Sequence, residues 1–283
     1  MAGLSGVLPE SASARAGAAP LLDVRSVSKR YTSGRGQSTL ALDGISLRVF
    51  PGEFVALVGP SGCGKSTLLS IIAGLEEATS GAIALHGDEQ APRLGHVGFM
   101  PQRDLLLPWR DALGNATAGL RVQGVPRAEA ETRARALFAD FGLSGFECAY
   151  PVTLSGGMRQ RVAFARTALV TRDLMLLDEP FGALDALTRA ALQRWLGQTL
   201  TRLGTTCLLV THDVDEALTL ADRVYALTAR PGRVRMERRV PLPRPRTQVD
   251  LAHPEMAALK AELLGALLDE TADVGAQREG GAL

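Results

Sequence analysis

Residues Gly59-Pro60-Ser61-Gly62-Cys63-Gly64-Lys65-Ser66-Thr67 fill every fixed position of the pattern G-x-x-x-x-G-K-[ST]. Such a stretch suits the phosphates of a nucleotide. Glycines let successive backbone N–H groups turn toward phosphate oxygens, and the helix that follows adds the positive end of its dipole. Lys65 suits the charge on the β- and γ-phosphates, and Ser66 offers a hydroxyl to Mg2+. Cys63 stands at a free position of the pattern, and its side chain is assigned no chemistry. A second reactive group, Asp178 and Glu179, ends the apolar run Leu174-Met175-Leu176-Leu177. Neighbouring side chains on a strand point to opposite sides, so the two acids have different tasks. Asp178 suits Mg2+, held through its waters. Glu179 suits polarising an attacking water as a general base.

Both groups need a frame, and the hydrophobic pattern implies one. Apolar runs without polar alternation occupy 54–58, 97–100, 174–177 and 207–210, each bounded by turn or charged residues. Strands buried on both faces of a parallel sheet read this way. Helical patterns such as 65–75 and 127–141 separate them. The predicted fold class is therefore α/β, with a mainly parallel central sheet around a phosphate-loop nucleotide site. About seventy residues lie between the second and third runs. They are too many for one crossover and are mostly helical in pattern, which predicts an inserted helical subdomain at about 103–168, with one helix starting near Ser155. Segments 22–27 and 45–50 alternate like half-exposed strands and predict an antiparallel β edge subdomain.

Outside the proposed 21–232 domain, residues 1–20 are rich in Ala, Gly and Ser and read as a disordered leader. Residues 233–283 read as a tail. The stretch 230–246 carries seven arginines against Glu237; a solvated segment is the expectation, with contact to lipid headgroups or an acidic partner loop as the alternative. The end of the chain predicts an amphipathic helix with Met256, Leu259, Leu263, Leu264 and Leu267 on one face.

Bulk properties narrow the function classes. The net charge of +1 over 283 residues gives no global bias toward nucleic acid. The three cysteines and four histidines are scattered without metal-ligand spacing, which argues against a disulfide framework and a zinc site. No apolar window is long enough to span a membrane.

Between these motifs the sequence resembles the ABC transporter ATP-binding subunits over roughly residues 21–232. The most specific mark is Leu154-Ser155-Gly156-Gly157-Met158-Arg159-Gln160-Arg161, similar to the ABC signature. Physically it is a Ser N-cap and two glycines opening a helix, a second anion site in one chain. The resemblance implies that Ser155, Gly156 and Gly157 face the γ-phosphate held by a partner subunit. It also implies a Q-loop role for Gln102 at Mg2+ and the attacking water, and a D-loop at Ala183-Leu184-Asp185. His212 would contact the γ-phosphate, and Tyr31 would stack on adenine. Met158 departs from the glutamine that many family members carry, but leaves the phosphate-facing positions intact.

The resemblance implies an ATPase that works as a homodimer or with a related subunit, each ATP lying between one phosphate loop and the other signature. It also implies integral membrane permease subunits and a peripheral place on the cytoplasmic face of the cell (inner) membrane. Arg103-Asp104-Leu105-Leu106-Leu107-Pro108-Trp109-Arg110 looks like a segment of the nitrate/sulfonate/taurine-type importers, as do Asp185-Ala186-Leu187-Thr188-Arg189 and Ala229-Arg230-Pro231-Gly232-Arg233. That points Trp109 and Arg110 at the permease, with burial of Trp109 inside the helical subdomain as the competing expectation. A solute-binding protein completes the implied complex, which would take up a small solute of that type or a pyrimidine thiamine precursor. The alternative is the ATPase of an exporter or lipid-trafficking system. The sequence has neither the coiled-coil insertion of chromosome-maintenance ABC ATPases nor the second nucleotide domain of translation-associated ones.

Overall fold

A computed structural model describes residues 19–32, 36–170, 173–182 and 184–279, with side chains described through Leu268. Most of the stretch read as a leader lies outside these residues. In chain order the strands are β1 (Leu22–Thr32), β2 (Ser38–Val49), β3 (Phe54–Val58), β4 (Ser80–Leu85), β5 (Gly98–Met100), β6 (Leu174–Asp178), β7 (Thr206–Thr211), β8 (Arg223–Leu227) and β9 (Val234–Arg239). The helices are α1 (Lys65–Ile72), α2 (Ala112–Ala116), α3 (Ala118–Val122), α4 (Arg127–Asp140), α5 (Gly156–Val170), α6 (Ala186–Leu203), α7 (Val214–Leu220) and α8 (Pro254–Glu279).

The central sheet has the order β5-β6-β7-β3-β8-β9. Its first five strands are parallel and β9 runs antiparallel to β8. The apolar runs are its inner strands because both faces are covered. Phe54, Ala56 and Val58 enter the core shared with α2 and α4–α8, whereas Val55 and Leu57 enter the core shared with α1 and the antiparallel sheet. That second sheet, β2-β1-β4, matches the expected edge subdomain, and α2–α5 supply the helical insertion. Helix α1 stops before residue 75 because Gly74 adopts a left-handed φ of 76° and turns the chain away.

The C-terminal segment differs from the solvated tail expected of it. β9 is hydrogen-bonded into the main sheet, and two of the seven arginines are fasteners. Arg244 pairs with both oxygens of Asp222 at 2.8 and 2.9 Å. Arg246 is buried and donates to the carbonyls of Leu218 and Ala221, satisfying the end of α7. Burial pushes its guanidinium down to about 10. In α8, Met256, Leu259 and Leu263 are buried and Leu267 is half-buried, but Leu264 is exposed. Leu263 and Leu264 are about 100° apart around the helix, so a narrow seam takes only one of them. Among the described residues no helix is long and apolar enough to cross a membrane.

Candidate functional site

The site forms at the C-terminal ends of β3, β6 and β7, where the chain leaves buried strands. After β3 the backbone swings through the phosphate loop into α1. Gly64 holds φ at 109°, and a Cβ there would lie 2.7 Å from Leu42 Cδ2. Only glycine fits, so the loop closes over β2 and leaves its N–H groups free of side chains. Lys65 is buried and donates to the carbonyls of Gly59 at 2.7 Å and Pro60 at 2.9 Å. Its ammonium therefore lies folded along the loop. Ser61, Gly62 and Ser66 are exposed at the rim. The Cys63 thiol is buried and held above its ordinary range, which suits a packing role.

The two acids part as strand geometry predicts. Asp178 accepts from the Ser66 hydroxyl at 3.1 Å. Burial, opposed by that hydrogen bond and reinforced by the charge of Glu179, holds its carboxyl above the ordinary range. Glu179 leaves the strand with φ at 44°, an uncommon conformation for a non-glycine residue. Its N–H donates to the Val210 carbonyl at 2.9 Å, which ties the turn to β7. Gln102 Nε2 donates to Glu179 Oε2 at 3.2 Å, and His212 Nδ1 lies 3.3 Å from the same oxygen. Three residues from three strand ends thus meet at one carboxylate oxygen. A hydroxyl beside a buried carboxylate is a hard-oxygen donor set that fits a Mg2+ ion. Tyr31 is part-exposed beside the loop, its hydroxyl donating to Glu76 at 2.8 Å and lying 3.5 Å from Thr67 Oγ1.

The signature residues belong to another neighbourhood. Ser155 caps α5 by accepting from the Met158 N–H at 3.3 Å. A Cβ on Gly156 would meet Leu184 at 3.3 Å, and one on Gly157 would meet Thr188 at 3.1 Å. The two half-buried signature glycines are therefore pressed onto the segment read as the D-loop, while Ser155 is exposed. In that segment Asp185 caps α6 through the Thr188 N–H at 3.0 Å, whereas Ala183 lies outside the described residues.

Trp109 is 71% exposed, which removes the expectation that it packs inside the helical subdomain. Arg110 beside it is also exposed. Sequence reasoning missed the residue that holds them out. Asn115 is fully buried; it accepts from the Leu107 N–H at 2.7 Å, and its two amide hydrogens are shared among the carbonyls of Leu107, Arg110 and Asp111, which lie 3.0–3.1 Å from Nδ2. Sequence reasoning singled out the 229–233 segment only by resemblance and did not foresee that Arg230 and Gly232 touch the phosphate loop. Arg230 donates twice to the Gly62 carbonyl, at 2.9 and 3.1 Å, and Gly232 is wedged between Leu42 and the Cys63 carbonyl. Nothing about an isolated Asn or an Arg-Pro-Gly in sequence marks these contacts, of which the Arg230–Gly62 pair alone joins residues 168 positions apart.

Known proteins are similar to this chain in sequence and in fold. The family described as ABC transporter matches residues 42–182. The aliphatic sulfonates import ATP-binding protein of Rhodococcus jostii is 47% identical over 87% of this chain and 93% of its own length. The taurine import ATP-binding protein of Chromobacterium violaceum is 42% identical over 89% of this chain and 95% of its own. The formylaminopyrimidine import ATP-binding protein of Halalkalibacterium halodurans is 40% identical over 89% and 98%. A bacterial ABC transporter cassette solved as a dimer superposes with a TM-score of 0.67 at 31% identity, covering 77% of this chain and 98% of that one. A post-hydrolysis structure bound to ADP and Pi superposes with a TM-score of 0.66 at the same identity and coverage. The fold, the phosphate loop with its acids, and these relatives agree: the chain belongs to the ABC transporter family, among its import ATP-binding subunits, and it is an ATPase.

Proposed function

We propose that this ATPase works as a dimer on the cytoplasmic face of the cell membrane. It powers uptake of a small solute through separate permease subunits, with a solute-binding protein delivering the cargo. The names of the relatives support a sulfonate, taurine or pyrimidine thiamine precursor as the solute class. They also favour import over the export or lipid-trafficking alternative.

The meeting of Gln102, Glu179 and His212 at one oxygen carries the catalytic reading. Glu179 Oε2 is the general base that takes a proton from water as it attacks the γ-phosphate. Gln102 orients that water. His212 holds the γ-phosphate oxygens, and Lys65 swings from the loop carbonyls to the β- and γ-phosphates. Catalysis is then mainly positioning and charge stabilisation. Ser66 and Asp178, with Gln102, would hold Mg2+, which neutralises phosphate charge when bound. The backbone of 59–67 cradles the phosphates and Tyr31 stacks on adenine. Ser155, Gly156 and Gly157 complete the pocket across the dimer, and Asp185 lies at the crossing.

Trp109 and Arg110, held out by Asn115, are the permease contact. Pull-down of the membrane complex tests this reading: wild-type chain brings down its permease, and Trp109→Ala with Arg110→Ala does not. A double variant that still assembles and transports at wild-type levels sinks the assignment. Identifying the ligand of the associated solute-binding protein fixes the solute class.

A further inference from the structure

One buried acid has no task in the reading above. Glu216, on α7, is 5% exposed and lies behind the switch loop rather than at the phosphates. The Thr211 hydroxyl donates to its Oε2. The same Thr211 oxygen accepts from the Asp213 N–H at 3.0 Å. Asp213 in turn caps α7 through the N–H groups of Asp215 at 2.9 Å and Glu216 at 3.2 Å. The two residues flanking His212 are thus fixed by a chain of hydrogen bonds that ends on one carboxylate. Glu216 also lines a cavity of about 20 Å3 together with Glu179, Arg189 and His212. Its Oε1 and Arg189 Nε are both buried without a hydrogen-bond partner among the described residues.

We propose that Glu216 is a positioning residue for hydrolysis: through Thr211 it sets the 211–213 loop and so the placement of His212 against Glu179. The inference rests on the roles given to Glu179 and His212 above. The hydrogen bookkeeping explains why a carboxylate suits the place. Thr211 has one hydrogen. An ionised Glu216 draws that hydrogen to itself in a charge-assisted bond, which leaves the Thr211 lone pairs facing the Asp213 N–H. A neutral acid bears a hydrogen of its own and weakens that direction.

Burial holds the Glu216 carboxyl at about 7, with the Asp213 charge pushing the same way. The Thr211 hydrogen bond, the neighbouring Gln193 side chain and the Arg189 charge oppose them. Glu179 and His212 face it across the cavity. A carboxyl raised in this way is fully tolerated below its ordinary value of 4.5 and costs stability as pH rises toward 7 and beyond. Glutamine at this position would relieve that cost. An acid that destabilises the fold at neutral pH, on a hydrogen-bonded path to the switch histidine, fits a functional role better than a packing one.

The test uses the full chain in its transport complex, with three variants. Glu216→Gln keeps the shape without the charge, Thr211→Val removes the hydroxyl at nearly constant volume, and Thr211→Ser restores it. We expect Glu216→Gln and Thr211→Val to keep ATP affinity within about twofold and to lower kcat by about ten- to a hundredfold. Thr211→Ser recovers most of the rate. The ratio of wild-type to Glu216→Gln kcat should rise as pH climbs through about 7, a quotient in which the titration of shared groups cancels. Above pH 7 the Glu216→Gln chain should melt at or above the wild-type temperature. Wild-type kcat in both Glu216→Gln and Thr211→Val overturns the inference, as does a pH-independent ratio. So does a rate loss that follows loss of folded protein. Glu179→Gln runs in parallel: normal turnover there means that the underlying catalytic reading has failed, whereas its loss beside normal Glu216 variants means that only this inference has.

Discussion

Arg166 Nη1 donates to the carbonyl of Leu105 at 2.8 Å, while its Nη2 donates to Asp104 at 2.5 Å. Arg159, one turn into the same helix, pairs with the Asp104 carboxylate at 3.3 Å. Helix α5 begins at the signature, and residues 104–110 carry the exposed Trp109. Helix α5, which opens at the signature segment, and the loop that carries Trp109 are thus fastened to each other by two arginines. Leu105 sits at φ 44° within this attachment, a backbone conformation that the clamp must hold in place.

That fastening predicts uncoupling. Arg166→Ala should leave ATP binding near wild type and lower transport by about tenfold more than it lowers ATP turnover. Asn115→Ala should do the same by releasing the 107–111 loop, with about 1–3 kcal/mol of stability lost for the backbone groups left unpaired. Transport and hydrolysis measured on one reconstituted sample check the ratio; equal losses in both would show that the clamp serves folding alone.

Glu179→Gln should bind ATP with unchanged affinity and hydrolyse it about a hundred- to ten-thousandfold more slowly, the usual worth of a general base. Light scattering should then find an ATP-held dimer. Turnover close to wild type rejects the general base.

Gly232→Ala should damage nucleotide binding from a distance. The added Cβ would lie 2.4 Å from the Cys63 carbonyl, so the phosphate loop must move. We expect ATP affinity to fall at least about tenfold, with about 1–3 kcal/mol of stability lost to overpacking. Arg230→Ala, which removes only exposed hydrogen bonds to Gly62, should cost about threefold in affinity. Titration calorimetry with ATP separates the two, and a Gly232→Ala chain with normal affinity rejects the buttress.

Away from the site, Arg223 spends its guanidinium on Glu53 at 2.7 and 2.9 Å, on Glu237 at 2.6 Å, on Tyr225 and on the Arg48 carbonyl. Glu53 and Arg223 are both buried. Glu53→Ala leaves the charge buried without its main partner and should destabilise the fold by about 3–5 kcal/mol. Urea unfolding measures this; a loss below about 1 kcal/mol would mean that Glu237 compensates.

The inner strands were legible because β3, β6 and β7 are buried on both faces, which makes their central residues a continuous apolar run. The loop conformation at Gly64 and Lys65 and the parting of Asp178 from Glu179 were legible because each follows from residue types at fixed local spacing. Of the arginines in 230–246, five are exposed as expected, and Arg244 and Arg246 departed because composition reports charge and not its partners. Arg244 and Arg246 look solvated until Asp222 and the carbonyls ending α7 are brought beside them. Leu264 failed for a geometric reason, since a hydrophobic pattern cannot choose which of two adjacent leucines the body receives.

The sequence alone therefore determined the phosphate loop, the two acids, the signature and the mainly parallel sheet, since each is written in contiguous residues. Tertiary structure decided what no contiguous stretch encodes. It brought Gln102 and His212 to one oxygen of Glu179, turned Trp109 outward on the buried amide of Asn115, and tied α5 to the 104–110 loop. It also bonded Glu216 to Thr211 in the 211–213 loop. Those relations join distant positions through hydrogen bonds and burial, and such forces act only once the chain has folded.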